Sequence, residues 1–394
     1  MKKLLLILAF TLPNISLATE VSLIPTPAEE GAAMSRLYSN GNQSVLSWVE
    51  VDDSVATLKY SLLDENKWSL PTKVYSGSNW FNNWADYPSV LVDGDKVRAH
   101  WLEKTNSGKY DYRVRITYSE DGGKSWGQPF TPHSDGVDAE HGFVSMQPNG
   151  QETFITWLDG RNTKSPSEHD GDHHNHHGHG GAMTLRAAMF QDGKVTQEWL
   201  LDERVCDCCT TAAATTDEGM IVAYRDRSDD EIRDISIQRL VEGKWLPAEN
   251  VPQDNWEIAG CPVNGPSIAA AGNKVALTWF TAPDEQPQVK LAISLDNGKT
   301  FGNGVTISEK TIGRVDTVIH NDHIIVSYLA VNAGKAELKV DRYGFDGVRV
   351  DSNTLDILSL DRNTGFPTLG IHNGKVLVSW NKDTVYTAQL DYSH

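Results

Sequence analysis

The chain is predicted to be all-β, a β-propeller of four-stranded antiparallel blades set in a ring, with seven blades favoured and six as the alternative. Three observations lead there. Apolar runs carrying an aromatic recur along the sequence: SVLSWVE at 44–50, VRAHWLE at 97–103, TFITWLD at 153–159, MIVAYRD at 220–226, VALTWFT at 275–281, IIVSYLA at 324–330 and VLVSWNK at 376–382. The aromatics are Trp48, Trp101, Trp157, Tyr224, Trp279, Tyr328 and Trp380, separated by 53, 56, 67, 55, 49 and 52 residues. Each run follows a short apolar strand and a tight turn, as in YPSVLVDGDKV from Tyr87, and precedes further alternating segments, as in RVRITYS from Arg113. About four strands in a period of roughly 50 residues is the pattern of a propeller blade.

Taken in order, the chain opens with Lys2 and Lys3 ahead of an apolar run from Leu4 to Leu12, then Ser16 and Ala18 where a signal peptidase reads. This is the pattern of an export signal over 1–18, which makes 19–394 a single soluble domain, periplasmic or secreted after cleavage. The run is too short for a mature anchor, and no later stretch reaches 18 uninterrupted apolar residues. Without Lys2 and Lys3, 33 basic residues face 53 acidic ones, a formal charge of −20. Nucleic acid and anionic membrane are poor partners for such a surface, and no membrane insertion is expected. Complete blades are expected to begin near Ala32, Asp86, Glu140, Cys208, Cys261 and Arg314, with a partial one from Thr364 to Tyr392. Glu20 to Pro25 would supply its missing outer strand and close the ring.

Two periods carry a tighter motif, SEDGGKSW at 119–126 and SLDNGKTF at 294–301. It is a hairpin turn in which Asp121 and Asp296 accept backbone amides and glycines take positive φ. Both copies resemble the Asp box, Ser-x-Asp-x-Gly-x-Thr/Ser-Trp/Phe, of the sialidase-like (BNR-repeat) propeller superfamily, and the resemblance covers nearly all of the mature chain. It implies a propeller whose channel mouth binds or cleaves glycans: an arginine cluster grips the sugar carboxylate, a Tyr/Glu pair acts as nucleophile and base, and an Asp serves as acid. The sequence departs from that family in two respects. Sialidases have six blades, and their Arg-Ile-Pro motif has no match, the nearest string being Ser22-Leu-Ile-Pro25.

The one long period holds a tract inserted at 162–181, in which His169, His173, His174, His176, His177 and His179 fall within eleven residues. Three of the four cysteines follow at Cys206, Cys208 and Cys209, and the fourth is Cys261. In a propeller, segments leading into the first strand and loops leaving the second converge on one rim of the channel. By that rule all ten residues share a rim, joined by Asp86, Glu140, His141, Asn264, Arg314, Asp316 and Arg362, and by Glu103, Asp159, Arg161, Arg225, Asp226 and Arg227.

Imidazole and thiolate suit Cu and Zn, so one reading is a metal-handling propeller whose cofactor or cargo is Cu or Zn. Against it stand disulfides, which an oxidising compartment favours and which four cysteines can form in three complete pairings, and a tract that binds metal only incidentally. The alternative function is a sialidase-like exo-glycosidase or glycan binder. Its candidates are Asp226, Glu140 and Asp86 as acids and Arg225, Arg314 and Arg362 as carboxylate ligands, with Arg161 and Arg227 also within the rim. A third reading is a scaffold that docks a periplasmic protein partner and uses the cysteines as staples.

Overall fold

The computed structural model describes residues 19–106, 108–164 and 181–392. The expected signal at 1–18 and all six tract histidines lie outside the described residues.

Seven antiparallel sheets follow one another along the chain and make a seven-bladed propeller. Blade 1 runs from Ala33–Ser39 through Thr72–Gly77, blade 3 from His141–Asn149 through Lys194–Asp202, and blade 6 from Thr311–His320 through Arg349–Leu358. Blade 2 has three full strands, from Ser89–Asp93 to Tyr112–Ser119, and its outer place is held by a single bridge between Ile116 and Phe130. Blade 7 draws on both ends of the chain. Glu20–Ile24 pairs with Val385–Asp391 in a register that sets Glu20 opposite Asp391 and Ile24 opposite Thr387, the closure expected from Glu20 to Pro25. Among the described residues the helical turns are Pro283–Glu285 and Arg362–Thr364.

Burial explains why the second strand of each blade was the most legible. Glu152–Asp159 is buried at every position but its first, because neighbouring blades cover both of its faces, whereas the outer strand Lys194–Asp202 is largely exposed. A strand covered on both faces reads as a continuous apolar run. The repeated aromatics Trp48, Trp101, Trp157, Tyr224, Trp279, Tyr328 and Trp380 are all buried, and most direct their polar tip to a carboxylate. Trp157 Nε1 donates to Asp159 at 2.9 Å, Trp279 Nε1 to Asp254 at 2.6 Å and Trp380 Nε1 to Asp356 at 3.0 Å, while the Tyr224 hydroxyl donates to Asp202 at 2.6 Å. Trp101 instead stacks on Tyr75 and Trp80.

Trp279→Phe tests one of these bonds, since it keeps most of the ring but leaves buried Asp254 with only Lys290 as side-chain partner. The expected loss is about 1–2 kcal/mol in urea unfolding, mostly from the hydrogen bond lost to the buried carboxylate. No loss would mean that the indole hydrogen bond contributes nothing net.

The two Ser-x-Asp turns are built alike. Asp121 accepts the Ser125 amide at 2.9 Å and its hydroxyl at 2.6 Å, and Asp296 does the same with Thr300 at 2.9 and 2.6 Å. Gly123 (φ +84°) and Gly298 (φ +75°) donate their amides to Ser119 and Ser294, in a left-handed conformation that favours glycine.

Candidate functional site

Lead-in segments bring the thiols together. Val205 bridges Asp226 and the Cys206 amide donates to the Arg225 carbonyl, which pins the start of the Cys-Asp-Cys-Cys segment to the end of Gly219–Arg225, the second strand of blade 4. The sulfurs of Cys206, Cys208 and Cys209 lie within 4.8 Å of one another, with Cys206 and Cys209 at 3.3 Å. Cys261, exposed in the segment that leads into the Ser267–Ala271 strand, lies near Cys208 but outside that group of three. Three cysteines therefore cluster, with Cys261 of the next blade nearby, and all four are free thiols.

Electrostatics divides them into unlike pairs. Burial opposes a thiolate at Cys206, yet hydrogen bonds from Cys208 and Cys209 and the charges of Arg233 and Arg225 hold its thiol well below the ordinary range. Arg233 Nη1 donates to Cys206 Sγ at 3.3 Å. Cys261 is drawn down by the hydrogen bond from Cys208. Cys208 is pushed up by its bonds to the other three sulfurs, and Cys209 by burial. Low thiol values beside guanidinium groups mark nucleophilic, metal-competent sulfur.

Carboxyl groups border the thiols. Asp207 sits 3.1 Å from Arg227 and 3.5 Å from Arg233. Glu140 is pushed up to about 8 by burial, with the charges of Asp86, Asp207 and Cys261 adding to it. Behind Glu140 stands Tyr112, whose hydroxyl is 2.9 Å from both Glu140 Oε1 and Asp86 Oδ2. Asp86, buried and raised to about 7 by desolvation, also accepts the Phe143 amide at 2.7 Å. One hydroxyl hydrogen serves one carboxylate, so the second contact needs a proton on a carboxyl group. Asp86, Tyr112 and Glu140 thus hold a shared proton near neutral pH.

The arginines of the glycosidase reading do not gather at one point. Arg225 is 2 % exposed, packs over Trp256, and donates to the carbonyls of Asn264 (3.1 and 3.0 Å), Arg233 (2.6 Å) and Phe280 (2.5 Å). Arg314 donates to the carbonyls of Asp361 and Gly365. Arg227 is held by Glu231 and Asp207, and Arg161 grips Asp159 through two donors at 2.7 Å. Asp226 accepts the Ser236 hydroxyl and the Arg227 amide. Arg314 and Arg362 do meet, both over the face of Trp84, where Trp84 and Phe366 stack beside a cavity of about 340 Å³ also lined by Tyr87, Asn83 and Asn381.

The His tract leaves the described structure after Lys164 and returns at Gly181, whose amide donates to Asn162 O at 2.7 Å. Its base is tied to the thiol side of the rim through Gly160, whose amide donates to Glu140 O at 2.8 Å. Tyr112, Asp207 and Arg233 were not among the sequence candidates; Asp207 was legible as the residue between two of the cysteines, while Tyr112 lies inside a blade strand with no local signal.

No family model matches the chain, and no curated protein matches it. Solved structures do. The polysaccharide lyase Uly1 is 11% identical over 93% of this chain and 90% of its own, with a TM-score of 0.54. A triple mutant of AofleA from Arthrobotrys oligospora is 9% identical, covering 86% and 90%, with a TM-score of 0.50. The α-L-arabinofuranosidase Arb93A from Fusarium graminearum is 14% identical, covering 80% and 95%, with a TM-score of 0.49. The likeness is one of fold. Among the described residues no helix is long and apolar enough to cross a membrane.

Proposed function

We propose that the protein binds and handles a soft transition metal, Cu(I) or Zn(II), at the four-cysteine cluster. The observation that carries this reading is the cluster of Cys206, Cys208 and Cys209, with Cys261 of the next blade near Cys208. A tetrahedral ion with metal–sulfur bonds of about 2.3 Å requires sulfurs about 3.8 Å apart, and the three sulfurs within 4.8 Å of one another approach that spacing. The donor set fits in charge as well. Cys206 and Cys261 are the sulfurs held low, Arg233 offsets part of their charge, and Asp207 adds negative potential that a cation would relieve. Bound metal would supply Lewis acidity or cargo; the chain's own residues supply thiolates and exclude water from Cys206 and Cys209, both buried. The His tract would serve as a lower-affinity collector.

The test is metal content and free-thiol count on one sample of the mature chain expressed in a periplasm. About one equivalent of thiolate-bound copper or zinc is expected, lost from Cys206→Ser and retained when the tract histidines are replaced. Metal-free wild type with all four cysteines oxidised would sink the reading, and two disulfides would take its place.

The glycan reading keeps one structural support. Trp84, Arg314 and Arg362 beside the 340 Å³ cavity offer a flat aromatic face with positive charge, a combination suited to an acidic sugar. The lyase Uly1 shares the fold, and fold by itself transfers no site. Sugar release from a fluorogenic glycoside, lost on Arg362→Ala or Asp226→Asn, would promote this reading over the first.

A further inference from the structure

Two lead-in segments carry the sulfurs, and Arg225 ties them together. Its carbonyl accepts the Cys206 amide, while its guanidinium donates to the carbonyl of Asn264, just beyond Cys261, at 3.1 and 3.0 Å. The segments also touch directly. Gly265 packs so closely on Thr210, the residue after Cys209, that a Cβ there would stand 2.0 Å from the Thr210 carbonyl oxygen. Cys261 is thereby held near Cys208, across the boundary between blades 4 and 5.

In this arrangement the sulfurs form a series graded by exposure. Cys206 and Cys209 are 0 % and 2 % exposed, Cys208 is half-buried and Cys261 is exposed. The buried pair has its sulfurs 3.3 Å apart, Cys208 completes the group of three, and Cys261 stands outside that group. Surrounding an ion with three sulfurs makes no use of a fourth at the surface beyond them. Thiol–disulfide exchange does, because an external disulfide cannot reach Cys206 or Cys209 directly, and Cys208 adjoins both the exposed sulfur and the buried pair. Arg233 Nη1, 3.3 Å from Cys206 Sγ, offers a positive charge to a thiolate at that buried position.

We propose that the four cysteines form a thiol–disulfide relay, with Cys261 as the port, Cys208 as the shuttle and Cys206 with Cys209 as the terminal pair. Its substrate is an external disulfide, R–S–S–R′. The Cys261 thiolate attacks one sulfur and releases R′S⁻, and Cys208 then attacks Cys261 Sγ and releases RS⁻. Cys206 attacks Cys208 Sγ and frees Cys261; Cys209 attacks Cys206 Sγ and frees Cys208. The net change reduces one external disulfide to two thiols, oxidises Cys206 and Cys209 to a disulfide, and passes their two protons to RS⁻ and R′S⁻. Oxidation also removes two sulfur donors and so expels a bound ion, an arm of the proposal that rests on the metal reading above.

The relay is tested on the full mature chain, reduced and stripped of metal with a chelator, by adding glutathione disulfide. Timed samples are quenched in acid, alkylated and mapped by peptide mass spectrometry. Wild type is expected to end with a Cys206–Cys209 disulfide and with Cys208 and Cys261 open to alkylation. Cys261→Ser should slow that disulfide at least about tenfold, and Cys208→Ser should hold glutathione on Cys261 while Cys206 and Cys209 stay reduced. Circular dichroism establishes that each variant is folded, and alanine at the same positions repeats the comparison without a hydroxyl. The relay is overturned if folded variants of both kinds form the Cys206–Cys209 disulfide at the wild-type rate, or if wild type stops at a Cys208–Cys261 disulfide. Zinc-loaded wild type, treated likewise, should release its ion as the disulfide forms; retention overturns the release arm. A protein that relays but never takes up zinc would count against the metal reading and leave the relay standing.

Discussion

Arg225→Ala is expected to destabilise the protein by about 4 kcal/mol. The side chain is wholly enclosed, and its donors satisfy carbonyls of Arg233, Asn264 and Phe280. Truncation leaves a cavity and three acceptors without partners. Large-to-small changes in a core cost roughly 2–5 kcal/mol, and each orphaned buried polar group about 1–3 kcal/mol before relaxation or water entry. Arg225→Lys should recover only part of the loss, since one ammonium cannot span the fork that a guanidinium fills. Urea unfolding should show a lower midpoint with unchanged slope. A variant as stable as wild type but deficient in ligand binding would show that Arg225 is a ligand group and that its carbonyl contacts are dispensable.

Stability is expected to fall as pH rises from about 4.5 to about 8, by an amount on the order of 3 kcal/mol attributable to Asp86, Tyr112 and Glu140. The sign follows from their environment. Burial raises Glu140 to about 8 and Asp86 to about 7, so the folded protein binds more protons than the unfolded chain across this window. Their contribution is complete below the unfolded carboxyl values and is lost as pH passes through the folded ones. Asp121 and Asp296, held down to about 2 by their turns, act in the opposite sense only at more acidic pH. Glu140→Gln supplies a permanent N–H towards the Tyr112 hydroxyl and should flatten the decline by half or more. An equal slope in wild type and variant would assign the decline to other groups.

The ring was legible because its signal is repeated and physical. Each blade buries a central strand on both faces, and that demand writes an apolar run with an aromatic seven times over. The meeting of Cys206 with distant Cys261 was legible for a related reason, since propeller topology returns every lead-in segment to one rim. Side-chain allegiance was not. Arg225 and Arg314 read as free cations in the sequence, yet backbone carbonyls 39 and 51 residues away claim them, and no local pattern records which carbonyl a loop will present. The pairing of His133 with Asp135 and its stacking on His141 could not be read, because the stretch between the Ser-x-Asp turn and blade 3 has turn-like composition and no periodicity. Their partner His141 was placed on the rim without a role.

The closure of blade 7 has a consequence for how the molecule is made. Glu20–Ile24 is synthesised long before its partner, Val385–Asp391. Until then the first strand waits as an open edge, with Val21 and Leu23 still outward-facing in the finished fold, a configuration prone to pairing with other chains. The ring is a clasp that cannot be fastened early, so whatever accompanies the growing chain must guard its first few residues for the longest time.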